Sequence, residues 1–426
     1  MLNFVIIFFC KLLSSFSKRF NLGHGSTWPG HIALKVNPNF INQILNKSKT
    51  KVILVTGTNG KTTTAKLLQA ILETNKNKVI LNSSGANLLN GIASTIILNS
   101  NLKGHLDADF AVFEIDENTL PQITKIITPN YIIALNLFRD QLDRYGEIDT
   151  IAMHWKEAYA KLTKTQLILN ADDPQIAFLG DSLKNTHYFG LDSKGNDKTE
   201  HAADSILCPK CSNRLTFVTH YFSHLGDWSC NKCGLKRPNR EIETGFFLPL
   251  RGTYAVYDIQ AAVLVSSLIG LTKKQINQGL RSFKPAFGRQ EIIRIEDKNV
   301  QLFLSKNPTS FNESLRTIAQ SNAKNLLIVL NDRIPDGTDV SWIWDIDFET
   351  LIKKGMNLYL AGDRVYDLAL RIKYALETEK YEIFDNLQDA INIATSKTNT
   401  NETLYILPTY SAMLEVRKVI TGKKIL

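Results

Sequence analysis

The stretch Lys51–Lys66, KVILVTGTNGKTTTAK, constrains this chain more than any other. Its apolar run from Val52 to Val55 has the length and β-branched content of a short buried strand. The run breaks into a loop carrying Gly57 and Gly60, and a helix opens at Lys61. Backbone N–H groups in such a loop, together with the helix N-terminus, cradle phosphate oxygens. Thr58, Asn59 and Gly60 would line the cradle, and Lys61 would reach the outer phosphates. The hydroxyl of Thr62 or Thr63 would sit on Mg²⁺. Gly57 and Gly60 are separated by only two residues, a tighter loop than the GxxxxGK[ST] form. A strand-to-helix turn with chance Lys and Thr is the bland alternative, and ATP binding is the stronger reading.

Around this loop the text alternates strand and helix. Strands are expected at Lys78–Leu81, Asp109–Ile115, Tyr131–Leu135 and Gln166–Leu169, with helices between them. That order implies a parallel sheet covered by helices, with ligand groups at the C-terminal ends of its strands. A second alternating series begins near Gln290, with strands at Gln301–Leu304, Leu326–Leu330, Leu358–Leu360 and Thr403–Leu407. The expected division is therefore 1–47 as an N-terminal helix and lead-in, 48–288 as the nucleotide domain, and 289–426 as a smaller Rossmann-like α/β domain. A chain of 426 residues accommodates these comfortably.

Residues 192–240 differ in texture, being polar and carrying four of the five cysteines. Cys208 and Cys211, then Cys230 and Cys233, form two C-x2-C pairs separated by 18 residues. Each pair can present two thiolates from one tight turn, half of a tetrahedral zinc shell. Four thiolates leave no open position, so such a zinc would be structural. Cys10 stands alone and reads as a buried apolar residue. A zinc ribbon can also bind nucleic acid, and Lys210, Arg214, Lys232, Lys236 and Arg237 would permit it. The chain lacks a helicase-like acidic box, and few aromatics stand among those bases as stacking platforms. No nucleic-acid partner is expected.

The net charge of +9 suits nucleotides, anionic substrates and anionic membranes alike, and selects none of them. At the N-terminus, Leu2 to Cys10 is apolar, Lys11 interrupts, and Lys18 and Arg19 follow a second apolar run. The run is too short for a spanning helix of ~20 residues. Its charges lie on the wrong side for a signal peptide. It reads as an amphipathic helix that packs on the body or lies peripherally at the inner membrane face. A cytoplasmic location is expected.

Further segments fall on the ligand-bearing edge. Glu114 ends the DFAVFEIDE strand, where an acid can hold a metal against bound phosphates. NLFRDQLDRYGEID and LNADDP follow the next two strands, and GTYAVYDIQAA, FGRQE and SKNPTSFNE come later. In this order, with TGTNGKTTT, they resemble the Mur ligase superfamily and, within it, the MurT-type synthetase subunits of lipid II isoglutaminyl synthases. The four-Cys insertion and the segment DGTDVSWIWD fit that subtype, and the likeness runs from about Thr27 to the C-terminus.

The resemblance implies an ATP- and Mg²⁺-dependent carbon–nitrogen ligase. Its substrate would be the α-carboxyl of D-glutamate in lipid II or a related muropeptide precursor, activated as an acyl phosphate. Ammonia from a GatD-like glutaminase partner would complete the amide. Carried over residue by residue, Lys61 and Thr62 match phosphate and Mg²⁺ contacts, Glu114 the metal-binding glutamate, and Arg289 a nucleotide-contacting arginine. Asn307 matches a turn near the adenine or the phosphates. Asp345 matches an aspartate that completes the partner's Cys–His pair, with Asp336 and Asp339 as neighbouring candidates.

There are also departures from the pattern. Gln141 stands where amino-acid-adding Mur ligases carry a histidine. Lys156, at the place of a carbamylated lysine in those ligases, reads as a surface lysine. Ala255 and Asp258 replace asparagines of a nucleotide-contacting motif, so contacts there must differ. His154 reads as a core or interface residue. An amino-acid-adding Mur-type or folylpolyglutamate-type ligase is the first alternative, and a zinc-ribbon P-loop ATPase acting on nucleic acid the second.

Overall fold

The computed structural model describes residues 2–19, 27–82, 85–140, 148–192, 203–241, 243–295, 297–353, 355–376 and 381–422. Gln141, the span 193–202 of the insertion, and the side chains of residues 17–19 lie outside the described residues.

The first sheet holds β1 (Lys51–Thr56), β2 (Val79–Leu81), β3 (Phe110–Glu114), β4 (Tyr131–Ala134), β5 (Gln166–Asn170) and β6 (Thr186–Phe189). Their spatial order is β2-β3-β1-β4-β5-β6, and every pairing is parallel. β3 is buried along its whole length and β1 nearly so, as strands covered on both faces must be. On one face lie three N-terminal helices (Leu2–Arg19, Trp28–Val36, Phe40–Lys47) with Leu89–Asn99. On the other lie the phosphate-loop helix Lys61–Thr74 and the pair Thr253–Leu268 and Lys273–Ser282. Since β1 sits between β3 and β4, the chain reverses its direction of winding there. The loop after β1 therefore opens into the switch-point crevice where α/β sheets bind ligands.

An antiparallel hairpin, β7 (Thr216–Phe222) and β8 (Leu225–Ser229), rises from the four-Cys cluster. The second sheet holds β9 (Arg289–Ile295), β10 (Lys298–Phe303), β11 (Asn325–Val329), β12 (Asn357–Ala361), β13 (Tyr381–Ile383) and β14 (Thr403–Pro408). Its order is β13-β12-β11-β14-β10-β9, parallel except for the edge strand β9. The result is a mixed sheet. β6, β9 and β13 are absent from the sequence reading because each lies at a sheet edge. There an alternating or polar face replaces the apolar run.

The first helix buries Ile6, Ile7 and Cys10 against the body, so Cys10 is the apolar core residue expected. Phe4, Val5, Phe8, Phe9, Leu12 and Phe16 are exposed on its other side. Among the described residues no helix is long and apolar enough to cross a membrane.

Candidate active site

The phosphate loop takes the shape its glycines permit. Gly57 and Gly60 have φ of 127° and 92°, and a Cβ on Gly60 would stand 2.1 Å from Asp258 Oδ1. Only glycine lets the loop pass that carboxyl. The loop is braced from β4: Thr58 N–H donates to Asn136 O (3.0 Å) and Asn59 N–H to Asn136 Oδ1 (2.9 Å). Asn136 Nδ2 returns a bond to Asn59 O (3.1 Å).

Lys61, buried at the start of the helix, donates to the Gly57 carbonyl (2.5 Å) and to Glu117 Oε1 (3.0 Å). Glu117 thus holds the ammonium beside the loop, where phosphate oxygens would compete for it. The backbone carbonyl of Glu117 in turn accepts from the buried indole of Trp155 (2.8 Å). Thr62 Oγ1 donates to Glu114 Oε2 at 2.7 Å, so the hydroxyl and carboxylate read as Mg²⁺ ligands touch each other. Oxygen-only donors of this kind at a phosphate loop suit a hard cation such as Mg²⁺.

The second sheet closes the crevice. Asn307 caps the helix Pro308–Gln320 by accepting from Ser310 N–H (2.9 Å). Its amide also donates to Asn59 Oδ1 (3.2 Å). Lys306 forms an ion pair with Asp140 on the loop after β4. Desolvation opposes the charge on Lys306, but Asp140 and Glu117 outweigh it and raise its pKa. Gln290, at φ 57°, staples the start of β9 to the other domain. It donates to Arg251 O (2.6 Å) and Tyr254 Oη (2.7 Å).

Between these parts lies a cleft of about 410 Å³. Its lining includes Thr58, Asn59, Gly60, Lys61, Thr63, Glu114, Arg289, Lys306 and Asp258. Thr62 and Asn307 reach it through Glu114 and Asn59. Burial pushes the Asp258 carboxyl well above the usual carboxylate range, although Arg289 opposes the shift. Lys156 is outside this cleft, with its ammonium 3.2 Å from the centroid of the Phe178 ring. His154 is exposed and so is not a core residue; the helical period places Trp155 inward instead.

A neighbouring cleft of about 320 Å³ shares Lys306 and Thr309 with the first. It brings together the three candidate aspartates, with different partners. Asp336 is buried and accepts from Ser411 N–H (2.8 Å) and its hydroxyl. Asp339 accepts from Ser341 N–H (2.8 Å) and its hydroxyl (2.9 Å). Asp345 leaves 42% of its side chain exposed and lies 3.5 Å from Arg139 Nη2.

The four cysteine sulfurs converge within 4.8 Å of one another. The separation is 3.6 Å for Cys208–Cys233 and 3.5 Å for Cys211–Cys230. Tetrahedral zinc with Zn–S bonds of about 2.3 Å would space them about 3.8 Å apart, so the donor set fits. The two turns repeat each other. Ser212 N–H bonds Cys208 O (2.8 Å) and Gly234 N–H bonds Cys230 O (3.0 Å), both residues at positive φ.

Glu117, Asn136, Asp140 and Lys306 were not singled out from the sequence. Their partners are distant in the chain, and only the last acid of FEIDE and the ligand-edge position of NLFRD hint at them.

Fold and cleft together define a P-loop synthetase of the Mur ligase type, a carbon–nitrogen ligase. Among solved structures, a pseudomurein peptide ligase type C from Methanothermus fervidus superposes with a TM-score of 0.63 at 21% identity, covering 88% of this chain and 79% of that one. The MurF ligase of Thermotoga maritima, solved with ADP, superposes at 0.61 with 14% identity, covering 92% and 83%. The Mur ligase middle domain model matches residues 55–266, and the MurT ligase C-terminal model matches residues 304–413. A Streptococcus pneumoniae protein, lipid II isoglutaminyl synthase (glutamine-hydrolyzing) subunit MurT, is 33% identical over 428 residues, covering 95% of this chain and 94% of that protein. The subunit of the same name from Staphylococcus aureus strain COL is 32% identical over 370 residues, covering 82% and 83%. The chain belongs to the MurT family.

Proposed function

We propose that this chain uses ATP to amidate the α-carboxyl of D-glutamate in the stem peptide of lipid II, giving D-isoglutamine. One observation carries the reading: residues of both sheets, Lys61 and Asn59 with Asn307 and Lys306, converge on one cleft beside the Thr62–Glu114 pair. A carboxylate is a poor electrophile, and phosphorylation supplies a leaving group. A carboxylate oxygen attacks the γ-phosphorus of ATP, the bond to the β-phosphate oxygen breaks, and ADP leaves. Ammonia nitrogen then adds to the acyl carbon, phosphate departs with the C–O electrons, and the nitrogen loses a proton.

In this scheme the N–H groups at the start of the helix, from Lys61 to Thr63, and the Lys61 ammonium hold the triphosphate and neutralise its charge, while Arg289 lines the same cleft. Thr62 and Glu114 would hold Mg²⁺, which would supply neutralisation of phosphate charge. Cys208, Cys211, Cys230 and Cys233 would hold a structural zinc. Asp345 is read as the aspartate lent to a glutaminase partner: unlike the buried Asp336 it leaves 42% of its side chain exposed, and its contact is a 3.5 Å ion pair with Arg139 rather than the local turn, closed on Ser341, that engages Asp339. The exposed apolar face of the first helix suits peripheral contact with the inner membrane surface.

The test is phosphate release by the purified chain given ATP, Mg²⁺, lipid II and ammonium chloride, with mass analysis of the muropeptide. Conversion of one carboxyl to a carboxamide, in step with phosphate, is expected. Turnover that requires an added amino acid would make the chain an amino-acid-adding ligase and overturn the proposal.

A further inference from the structure

The apolar end of the nucleotide cleft is not built by the ATPase sheet alone. Phe222, the last residue of β7, belongs to the four-Cys hairpin and yet lines the cleft with Phe138, Leu250 and Tyr257. The base of this hairpin carries the cysteines, and its exposure alternates there. From His220 to Leu225 every residue is buried, so the tip is inserted into the nucleotide domain. Phe222 pairs directly with Leu225, leaving a two-residue turn, Ser223–His224, with Ser223 at φ 48°. This strained turn is fixed from several sides. Gly226 N–H donates to Asp172 O (3.0 Å), and the Trp228 indole to Ala171 O (3.0 Å). His224 packs on Phe138 with ring centroids 4.9 Å apart, and its Nε2 lies 3.4 Å from Asp173 Oδ2. Phe222 itself meets Tyr257 edge-on at 5.7 Å and Phe138 at 6.1 Å.

We propose that Phe222 positions the nucleotide base, and that the four-Cys cluster exists to hold the strand pair that presents it. The proposal rests on the reading of the cleft as the ATP site. The P-loop grips the triphosphate, which every nucleoside triphosphate shares. The apolar end is the part of the cleft that can sense a base, through aromatic contact with its π-face. Pinning the hairpin at the cysteines fixes the position of a ring one full strand away.

The experiment measures displacement of a fluorescent ATP analogue by ATP and, separately, by tripolyphosphate, both with Mg²⁺. Phe222→Ala is expected to weaken ATP about tenfold and to leave tripolyphosphate unchanged. Phe222→Tyr, which keeps the ring, is expected to bind ATP as the unaltered chain does. Cys211→Ser, with zinc content read by a chelating dye, is expected to lose metal and to show the same selective loss of ATP. If Phe222→Ala binds both ligands normally, or loses both equally with a lowered melting temperature, the base role is overturned. Displacement by neither ligand in the unaltered chain would instead remove the ATP reading beneath it.

Discussion

Two loops at the same edge of the first sheet carry acids, and they are put to opposite uses. After β3, Glu114 and Glu117 turn toward the cleft, where their partners are Thr62 and Lys61 of the phosphate loop. After β5, Asp172 and Asp173 are wholly buried and act as internal braces. Asp172 accepts from Arg237 Nε (2.7 Å), Tyr257 Oη (2.7 Å) and Leu191 N–H (2.8 Å), tying the insertion to the helix beneath the cleft. Asp173 caps the helix Pro174–Leu179 and also accepts from Leu137 N–H (2.9 Å). Position at a strand's C-terminal end therefore brings an acid near the ligand edge without making it a ligand. What separates the two loops is the set of donors that the rest of the chain brings to each.

The largest difference between the two loops is expected at Lys61. Lys61→Ala is expected to lower ATP turnover by about 10³-fold, and the pair Lys61→Ala with Glu117→Gln, which strands no buried charge, should keep that loss with a small change in melting temperature; normal turnover in the double variant would make Lys61 a brace like Asp172. Asp172→Ala should do the reverse, since it strands the Arg237 guanidinium beside an apolar core. A loss of about 3–5 kcal/mol, or on the order of 10 °C in melting temperature, is expected by calorimetry. A folded, cold-sensitive variant with normal stability would contradict that.

Asp345→Asn is expected to lower glutamine-supported amidation by about 10²-fold in the presence of a glutaminase partner, while ammonium-supported amidation is preserved. Equal loss with both nitrogen sources would place Asp345 in the synthetase chemistry instead.

The smallest effect concerns Asp258. Its pKa is raised by burial, so the folded chain holds a proton that the unfolded chain gives up from about pH 4 upward. Its contribution to stability therefore falls as pH rises through that value toward the folded pKa. Asp258→Asn removes this dependence, so the variant should gain melting temperature over the parent as pH rises, by about 3 °C at the upper end. A gap that stays constant with pH would show that Asp258 is not the titrating group.

The phosphate loop was legible because strand, glycines, Lys61 and Thr62 are contiguous, and local chemistry sets their geometry. The cysteine cluster was legible for a similar reason, since two short spacings each define half of a site. What escaped notice depends on distant pairings. Lys61 meets Glu117 across 56 residues, Asn59 meets Asn307 across 248, and Lys306 meets Asp140 across 166. No periodicity encodes such meetings. The insertion is polar in its average composition, yet its tip, His220–Leu225, is core.

The proposed chemistry requires the cleft to phosphorylate a carboxylate before the amide forms. Lipid II carrying heavy oxygen in the D-glutamate α-carboxyl tests this directly. With ATP, Mg²⁺ and ammonium, one heavy oxygen should appear in the released phosphate for each amide made. Phosphate that carries only solvent or nucleotide oxygen, alongside amidated product, would contradict it.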